Sequence, residues 1–354
     1  MPCILLPISK SIANRLLILQ AINGDGLMTV SACGVPDDAR IVGCFDMPDD
    51  VQILHRALTT LHNPTQSYTT LHLSNCGTAM RFLTAYAAQL ENRVTILDGV
   101  ERMHHRPIGQ LVDALREIGA DIEYLGEEGF PPLRIKGCIL DKHRIVTINN
   151  PQSTQFVSAL LLIGANVQTN STSPYITLTR ELIQHYTTLH NFTQRYTIEK
   201  DWSSAAFWYE YVALHGGEIK LPGLHKESLQ GDKIVADIFA HLGVSTQYTE
   251  DGIQICRSQT ILNSKFLIQN FSACPDLYPA VALTCERLGI ELHATGVGSL
   301  PLKESDRLRA VAEHRTDHDH RMAMALLIAG YEVDDTACIS KSYPQFLEQW
   351  YALQ

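Results

Sequence analysis

Apolar positions along this chain fall into two alternating kinds of run. Short runs such as Ile4-Leu5-Leu6, Leu71-His72-Leu73 and Val94 to Leu97 read as strands. Longer runs with helical spacing follow them. The first, Ile12 to Ile22, carries Leu16, Leu17 and Leu19 and has no glycine or proline. Between the two kinds lies a polar cluster, Ser9-Lys10-Ser11-Ile12-Ala13-Asn14-Arg15. It reads as a short loop feeding a helix start, with Ser9 or Ser11 as the cap. Lys10 and Arg15 add positive charge beside the unpaired N–H groups of the first turn, which makes an anion site.

The same arrangement recurs. Asp46-Met47-Pro48-Asp49-Asp50 precedes a helix through Leu61, and Ser74-Asn75-Cys76-Gly77-Thr78-Ala79-Met80-Arg81 starts one to about Gln89, with Asn75 as cap. Gly77 lets a ligand approach the backbone closely. Glu101 to Pro107 leads into a helix with Pro107 at its first position and Gly119 as its stop. Strands Ile122-Glu123-Tyr124 and Leu133-Arg134-Ile135 follow. Further helices are expected from Asn149 through Gly164, from Pro174-Tyr175 to near Leu189, from Asp201 to Leu214 and from Gln230-Gly231-Asp232 to Leu242. Later ones begin at Pro275-Asp276, at Lys303 to Arg307, at Asp317 to Arg321 and at Ser340-Lys341-Ser342. Strand–loop–helix units without a strict period imply two α/β domains rather than a solenoid. In such folds the chemistry gathers where strands feed helices.

Composition narrows the class. A chain of 354 residues with 45% hydrophobic content can fill two cores. No apolar run is long enough to span a bilayer, and Met1-Pro2-Cys3 leads straight into the first strand without a signal peptide. Nine scattered cysteines without a C-x-x-C pair suit reduced thiols, so a cytoplasmic location is expected. A net charge of −10 argues against a nucleic-acid partner. Yet eight cations sit in the loops at helix starts: Lys10, Arg15, Arg81, Arg102, Lys303, Arg307, Arg321 and Lys341. Small phosphorylated carboxylic acids match such a cluster. The carboxylates of the same loops, Asp276, Glu304, Asp306 and Asp319, either orient those cations or transfer protons.

Other features carry less. His314, His318 and His320 with Asp317 and Asp319 resemble a metal cluster, but no H-E-x-x-H pair exists and no metal is expected. P-loop and dinucleotide fingerprints are missing, and no cofactor is expected. Cys76 reads as a small filler before Gly77, and Trp202 and Trp208 as core.

Read together, six motifs in order carry a resemblance. They are Ser9 to Arg15, Asn75 to Arg81, Arg102 to Gly109, Lys303 to Arg307, Asp319 to Met324 and Ser340 to Pro344. The chain resembles the 5-enolpyruvylshikimate-3-phosphate (EPSP) synthase family from Leu5 to the C-terminus. The resemblance implies a two-domain enolpyruvyl-transferase fold, each domain an inside-out α/β barrel of βαβαββ-type units with helix N-termini facing the cleft. The domains would span 9–199, on the shikimate 3-phosphate side, and 1–8 plus 200–354, on the phosphoenolpyruvate and catalytic side. Family chemistry moves the enolpyruvyl group of phosphoenolpyruvate to the 5-hydroxyl of shikimate 3-phosphate by addition–elimination, without metal or cofactor.

By the same resemblance Lys10, Ser11, Arg15, Ser153, Thr154, Gln155, Thr172, Asp276, Ser299 and Lys303 would hold shikimate 3-phosphate. Lys10, Asn75, Gly77, Arg102, Gln155, Arg307, Arg321 and Lys341 would hold phosphoenolpyruvate. Lys10, Asp276, Glu304 and Lys341 would be catalytic, Asp276 as proton acceptor and Glu304 and Lys341 near the methylene carbon. A monomer is expected, with no nucleic-acid or membrane partner.

The chain also departs from the family. Thr154 stands where a second Ser is usual, Ser299 where Asn is usual and Phe82 where Pro is common; the phosphate-binding Ser falls at Thr172 or Ser173. Gly77 suggests glyphosate sensitivity. Only 11 residues separate Arg307 from Asp319, where the family has a few dozen more, and the stretch from Tyr175 to Asp201 is short too. Whole strands of two units are expected to be missing. That leaves two alternatives to an active synthase: an anion-binding relative with impaired or no turnover, and a UDP-N-acetylglucosamine enolpyruvyl transferase. The second fits Ser153-Thr154-Gln155 and Lys303 to Arg307 less well.

Overall fold

The computed structural model describes residues 1–24, 31–32, 47–63, 67–188, 197–258 and 266–354. The chain divides into two compact units, the first formed by Ser11–Thr29 and Asp50–Gln194, the second by Met1–Lys10, Val30–Asp49 and Arg195–Gln354. These boundaries differ from 9–199 and 1–8 plus 200–354 for a backbone reason. Strand Ser31–Ala32 pairs in parallel with Thr197–Ile198, and Ile8 bridges to Lys200, which ties 30–49 and the first ten residues to the second unit. The expected loop residue Asp46 and helix end Leu189 lie outside the described residues.

The first unit contains one complete βαβαββ unit. Strand Tyr68–His72, helix Gly77–Ala88, strand Val94–Asp98, helix Gly109–Glu117, then strands Asp121–Tyr124 and Leu133–Lys136 follow in order. In the sheet the first two strands are parallel neighbours joined by a helical crossover, and the last two add antiparallel at Val94–Asp98. Inward positions alternate along the strands, with Leu97, Leu133, Ile135 and Ile122 buried. A second unit of the same kind stops early. Strand Ile145–Thr147, helix Thr154–Leu162, strand Asn166–Gln168 and helix Pro174–Thr188 make a two-stranded parallel sheet with no hairpin among the described residues.

The second unit repeats this contrast. Strands Glu218–Pro222, Val244–Thr249 and Gly252–Arg257 form a three-stranded antiparallel sheet, with the middle place taken by Gly252–Arg257. The opening Ile4-Leu5-Leu6 forms no strand of its own but bridges onto it at Cys3 and Lys220. Phe266–Asn270 and Glu291–Thr295 pair in parallel, with no third strand among the described residues. Their open sheet leaves Ile268 67% and Phe266 54% exposed, the cost of the hairpin expected to be missing here. Where that hairpin would run, helix Arg307–Glu313 is linked to helix His320–Ile328 by a tight tether. Its His314, Asp317 and His318 all take positive φ, of 51°, 45° and 59°. Side chains hold each bend: His314 meets Glu286 and stacks on Tyr331, Thr316 donates to Asp334, and His318 Nδ1 lies 2.6 Å from Asp335.

Helix Trp202–His215 is the centre of the second unit's core. Trp202, Phe207, Trp208 and Tyr209 are fully buried on it, with Phe239, Phe271, Tyr343 and Phe346 around. Trp208 donates to Tyr343 Oη at 3.1 Å, so the buried indole N–H is satisfied. Glu210 on the same helix is fully buried, and neither oxygen has a hydrogen-bond partner. Burial therefore pushes its carboxyl well above the usual range.

Several helix starts differ from expectation. Cys76, not Asn75, caps Gly77–Ala88, its sulfur accepting from Ala79 N at 3.4 Å. Ser74 turns the chain at φ 52° just before, which turns Asn75 toward another partner. The helix after Pro107 begins only at Gly109, because Ile108 N is taken by Gly129 O at 2.9 Å. Lys341 ends a 3₁₀ helix, Ala337–Lys341, and the last α-helix begins at Phe346. Ser9 precedes helix Lys10–Asn23, but its buried hydroxyl meets no partner, so it caps only by position.

Glu210 gives a pH-dependent stability. Its folded proton affinity is raised, so its contribution is complete below the ordinary glutamate range and is lost as pH climbs above it. Glu210→Gln is expected to melt like the parent at pH 4 and about 3–6 °C higher at pH 7.5, from roughly 1–2 kcal/mol. Thermal unfolding at the two pH values checks this; equal melting at pH 7.5 would show the carboxyl to be solvated.

Candidate functional site

In the first unit three arginines are turned onto neutral oxygens. Arg15 is buried on helix Lys10–Asn23. It donates to Thr179 Oγ1 (2.7 Å), Ser11 O (2.8 Å), Ser158 Oγ (3.1 Å) and Tyr175 O (3.3 Å). Burial lowers its pKa to about 10. Phe82 lies under its guanidinium at 5.5 Å, so the Phe at this position is a packing residue. Arg15 thus ties three helices, and a ligand would reach it by replacing one of these oxygens.

Arg81 donates to Gln155 Oε1 at 2.6 Å, and Gln155 Nε2 donates to Thr78 Oγ1 at 2.8 Å. Ser153 caps the helix that carries Thr154 and Gln155. At the other undecided position Ser173 is buried and its hydroxyl accepts from Tyr175 N at 3.4 Å, while Thr172 is exposed.

The third arginine is Arg106, which sequence reasoning passed over in favour of Arg102. Its Nη1 donates to Asn75 O (3.2 Å) and lies 3.4 Å from Asn75 Oδ1. A Cβ on Gly77 would come within 2.6 Å of its Cζ, so glycine is what admits the guanidinium to this helix start. Arg102 instead sits half-buried within the 3₁₀ turn Glu101–His105. A readable signal existed. A residue before proline is forced out of the helical region, and Arg106 is extended at φ −96°, ψ 117°, which throws its side chain clear of the turn.

In the second unit the helix starts converge on carboxylates. Asp319 caps His320–Ile328 by accepting from Arg321 N at 2.9 Å. Its other oxygen accepts from Arg307 Nε at 2.8 Å and from Ser305 Oγ at 3.2 Å. Arg307 is 1% exposed and also reaches Asp276 Oδ1 (2.7 Å) and Glu304 Oε2 (3.1 Å). Asp276 further receives Arg321 Nη2 at 3.1 Å and Lys303 Nζ at 3.3 Å. Lys341 Nζ lies 3.3 Å from Glu304 Oε1. Asp306 faces away and caps Arg307–Glu313 through Arg309 N. Ser299 is half-buried before the turn Leu300–Leu302, and its hydroxyl makes no cap bond.

The electrostatics follow from this packing. Burial pushes Asp276 up, but Arg321, Lys303, Arg307 and Lys10 outweigh it and hold the carboxyl well below its usual range. Burial lowers Lys303, only partly opposed by Asp276. His320 is fully buried; burial, then Lys10 and Arg321, drive its pKa well down, so the imidazole is neutral. Its neighbours His314 and His318 turn to Glu286 and Asp335 instead, so the three histidines do not share a centre.

Two further acids escaped the sequence reading although their helix starts were recognised. Asp201 caps Trp202–His215 through Ser204 N at 3.0 Å, and Asp232 accepts from Ser203 Oγ. Burial raises both, and Arg321 opposes it in each.

Asp319 serves two partners, so Asp319→Asn is expected to weaken both the cap and the Arg307 anchor. The loss should be about 3 kcal/mol in urea unfolding, since it strands part of a buried charge. A loss under about 0.5 kcal/mol would show that Arg307 is held by Asp276 and Glu304 alone.

Comparison with known proteins identifies the family. The family model described as EPSP synthase (3-phosphoshikimate 1-carboxyvinyltransferase) matches residues 3–315 and 311–350. A 3-phosphoshikimate 1-carboxyvinyltransferase of Bacteroides fragilis strain YCH46 is 36% identical over 403 aligned positions, covering 96% of this chain and 92% of that one. The corresponding protein of Erwinia tasmaniensis is 31% identical over 416 positions, covering 97% and 94%. Both alignments are longer than this chain, as its shortened segments require. The solved EPSP synthase of Acinetobacter baumannii shares the fold, with a TM-score of 0.66 at 18% identity over 99% of this chain and 94% of that one. The family model over nearly the whole chain and the relatives above 30% identity show that the chain belongs to the EPSP synthase family of 3-phosphoshikimate 1-carboxyvinyltransferases.

Proposed function

We propose the following division of labour for the reaction that this membership brings. The chain transfers the enolpyruvyl group of phosphoenolpyruvate to the 5-hydroxyl of shikimate 3-phosphate and releases phosphate. The observation that carries the reading is Asp276, a half-buried carboxylate gripped by Arg307, Arg321 and Lys303. Three cations around one potential base are poised to exchange that carboxylate for the anionic groups of a substrate. When they do, the grip on Asp276 loosens and its proton affinity rises, so substrate binding makes the base.

Asp276 then takes the proton of the 5-hydroxyl as its oxygen bonds to C2 of phosphoenolpyruvate. The Lys341–Glu304 pair gives a proton to C3. Elimination reverses the C3 protonation, breaks the C2–O bond to phosphate and re-forms the double bond. Arg307, Arg321, Lys10 and Lys341 stabilise the departing phosphate. Ser11, Arg15, Ser153, Thr154, Gln155, Thr172, Ser299 and Lys303 serve shikimate 3-phosphate; the exposure of Thr172 favours it over Ser173. Asn75, Gly77 and Gln155 serve phosphoenolpyruvate, and Arg106 takes the part first given to Arg102.

The finer family architecture, an inside-out barrel in each unit, belongs to the same proposal, as do a monomeric state and a cytoplasmic location. The free thiols of Cys76, Cys274 and Cys285 support the last. Among the described residues no helix is long and apolar enough to cross a membrane.

Purified protein is expected to release phosphate from phosphoenolpyruvate only when shikimate 3-phosphate is present. No release from folded protein with both substrates would favour the anion-binding relative without turnover, the alternative that the shortened segments raise. Gly77→Ala is expected to raise KM for phosphoenolpyruvate about tenfold or more with kcat within about threefold, because the new Cβ displaces the Arg106 guanidinium. An unchanged KM would remove Arg106 from the site. A rise in the glyphosate inhibition constant in the same variant would tie the inhibitor to this helix start.

A further inference from the structure

Two polar stretches marked by the sequence, around Asp49 and around Ser340, meet within the second unit. Ser340 Oγ donates to Asp49 Oδ2 at 2.6 Å, across 291 residues of chain. The same hydroxyl lies 3.2 Å from Ala337 O. One proton cannot serve both, and the shorter bond, to a carboxylate, is the charge-assisted one. Asp49 is the first residue of helix Asp49–Leu61, where the helix dipole favours a negative charge. It is half-buried, so its bond to Ser340 is partly shielded from water.

What that bond holds is the turn that presents Lys341. Ala337–Lys341 is a 3₁₀ helix of five residues, with little stability of its own. At its start Asp335 Oδ1 accepts from Ala337 N at 2.9 Å and from Cys338 N at 3.3 Å, and the other oxygen of Asp335 lies 2.6 Å from His318 Nδ1. At its end the hydroxyl of Ser342 is buried and meets no partner among the described residues, so it anchors nothing. The side-chain anchor there is Ser340, through Asp49. The turn is therefore pinned by one carboxylate just before it and by another from a distant helix start. Lys341, next to Ser340, leaves it to bring Nζ within 3.3 Å of Glu304 Oε1.

We propose that Asp49 is a positioning residue for the transfer: through Ser340 it fixes the end of the turn from which Lys341 reaches Glu304. The inference rests on the reading above that the Lys341–Glu304 pair gives the proton to C3. The need is physical. A lysine carries a point charge on a flexible four-carbon stem, so where its ammonium sits depends on where its backbone is held. Glu304 is fixed from its own side by Arg307 Nη2 at 3.1 Å, so a turn that swings away parts the pair instead of moving it as a whole. A proton donor must stay within hydrogen-bond reach of its target, and a shift of about 1 Å can cost on the order of 10²-fold in rate.

The test is made on the full chain. Asp49→Ala removes the acceptor and Ser340→Ala the donor. Each should lower kcat about tenfold or more, with KM for shikimate 3-phosphate within about threefold. Asp49→Asn keeps an acceptor oxygen for Ser340 and should retain about a third of kcat or more. The double variant Asp49→Ala with Ser340→Ala should match the slower single variant within about twofold, because both changes break one bond. Losses that multiply in the double variant, an unchanged kcat in Ser340→Ala, or an Asp49→Asn as slow as Asp49→Ala would overturn the inference, since Asp49 would then act only on its own helix. A probe of the free protein separates this from the functional reading. With ¹³C-labelled lysine, the Cε resonance of Lys341, assigned by its loss in Lys341→Arg, should move in Asp49→Ala and in Ser340→Ala and stay in place in Asp49→Asn. A resonance that stays in place in all three means that Asp49 does not position Lys341. Absence of phosphate release by the parent chain would instead strike the functional reading, while the lysine resonance still decides the positioning.

Discussion

A guanidinium at 1% exposure is tolerable only when its donors meet acceptors, and Arg307 has found three carboxylates. Asp319, Asp276 and Glu304 lie at different helix starts and loops, so satisfying one buried charge fixes three pieces of backbone against one another. The same carboxylates then hold Arg321, Lys303 and Lys341. Each cation is thus oriented by an acid that has its own reason to be where it is. Breaking such a knot at one point leaves a charge in a place that cannot solvate it, which is why it is both rigid and vulnerable.

The two units handle charge differently. In the second, Asp201, Asp232, Asp276, Glu304 and Asp319 face Lys10, Lys303, Arg307, Arg321 and Lys341, five against five. In the first, the partners named for Arg15, Arg81 and Arg106 are amides, hydroxyls and carbonyls. A cluster of interleaved acids and cations exchanges partners at little electrostatic cost, which suits proton transfer.

Much of this was legible in the sequence, and the reasons differ by element. Helix starts at Asp201, Asp306 and Asp319 were readable because a cap is a local signal, a polar side chain satisfying N–H groups two or three residues on. The shortened segments were readable from spacing alone. What escaped depended on contacts distant in sequence. Nothing within a few residues of Asp276 says that Arg307 and Arg321 will lie beside it. That Arg106 reaches the helix start at Gly77 depends on which side chain the 3₁₀ turn releases, a matter of backbone geometry rather than residue type. Asn75 was taken for a cap because its type favours one; its carbonyl and side chain went to Arg106, and a thiol served instead.

The tether between Glu313 and His320 also changes the accounting of the unfolded chain. In relatives a longer segment must be closed into a loop before Arg307 and Asp319 can meet. Here only 11 residues intervene. Loop-closure entropy grows by about 0.6 kcal/mol per doubling of length, so each halving of the link makes the encounter cheaper by about that much. That sum offsets part of the left-handed bends at His314, Asp317 and His318, residue types among those that accept such a backbone most readily. The pairing of Arg307 with Asp319 has become a nearly local contact, available early as the chain collapses, rather than a reward deferred until a distant hairpin has formed.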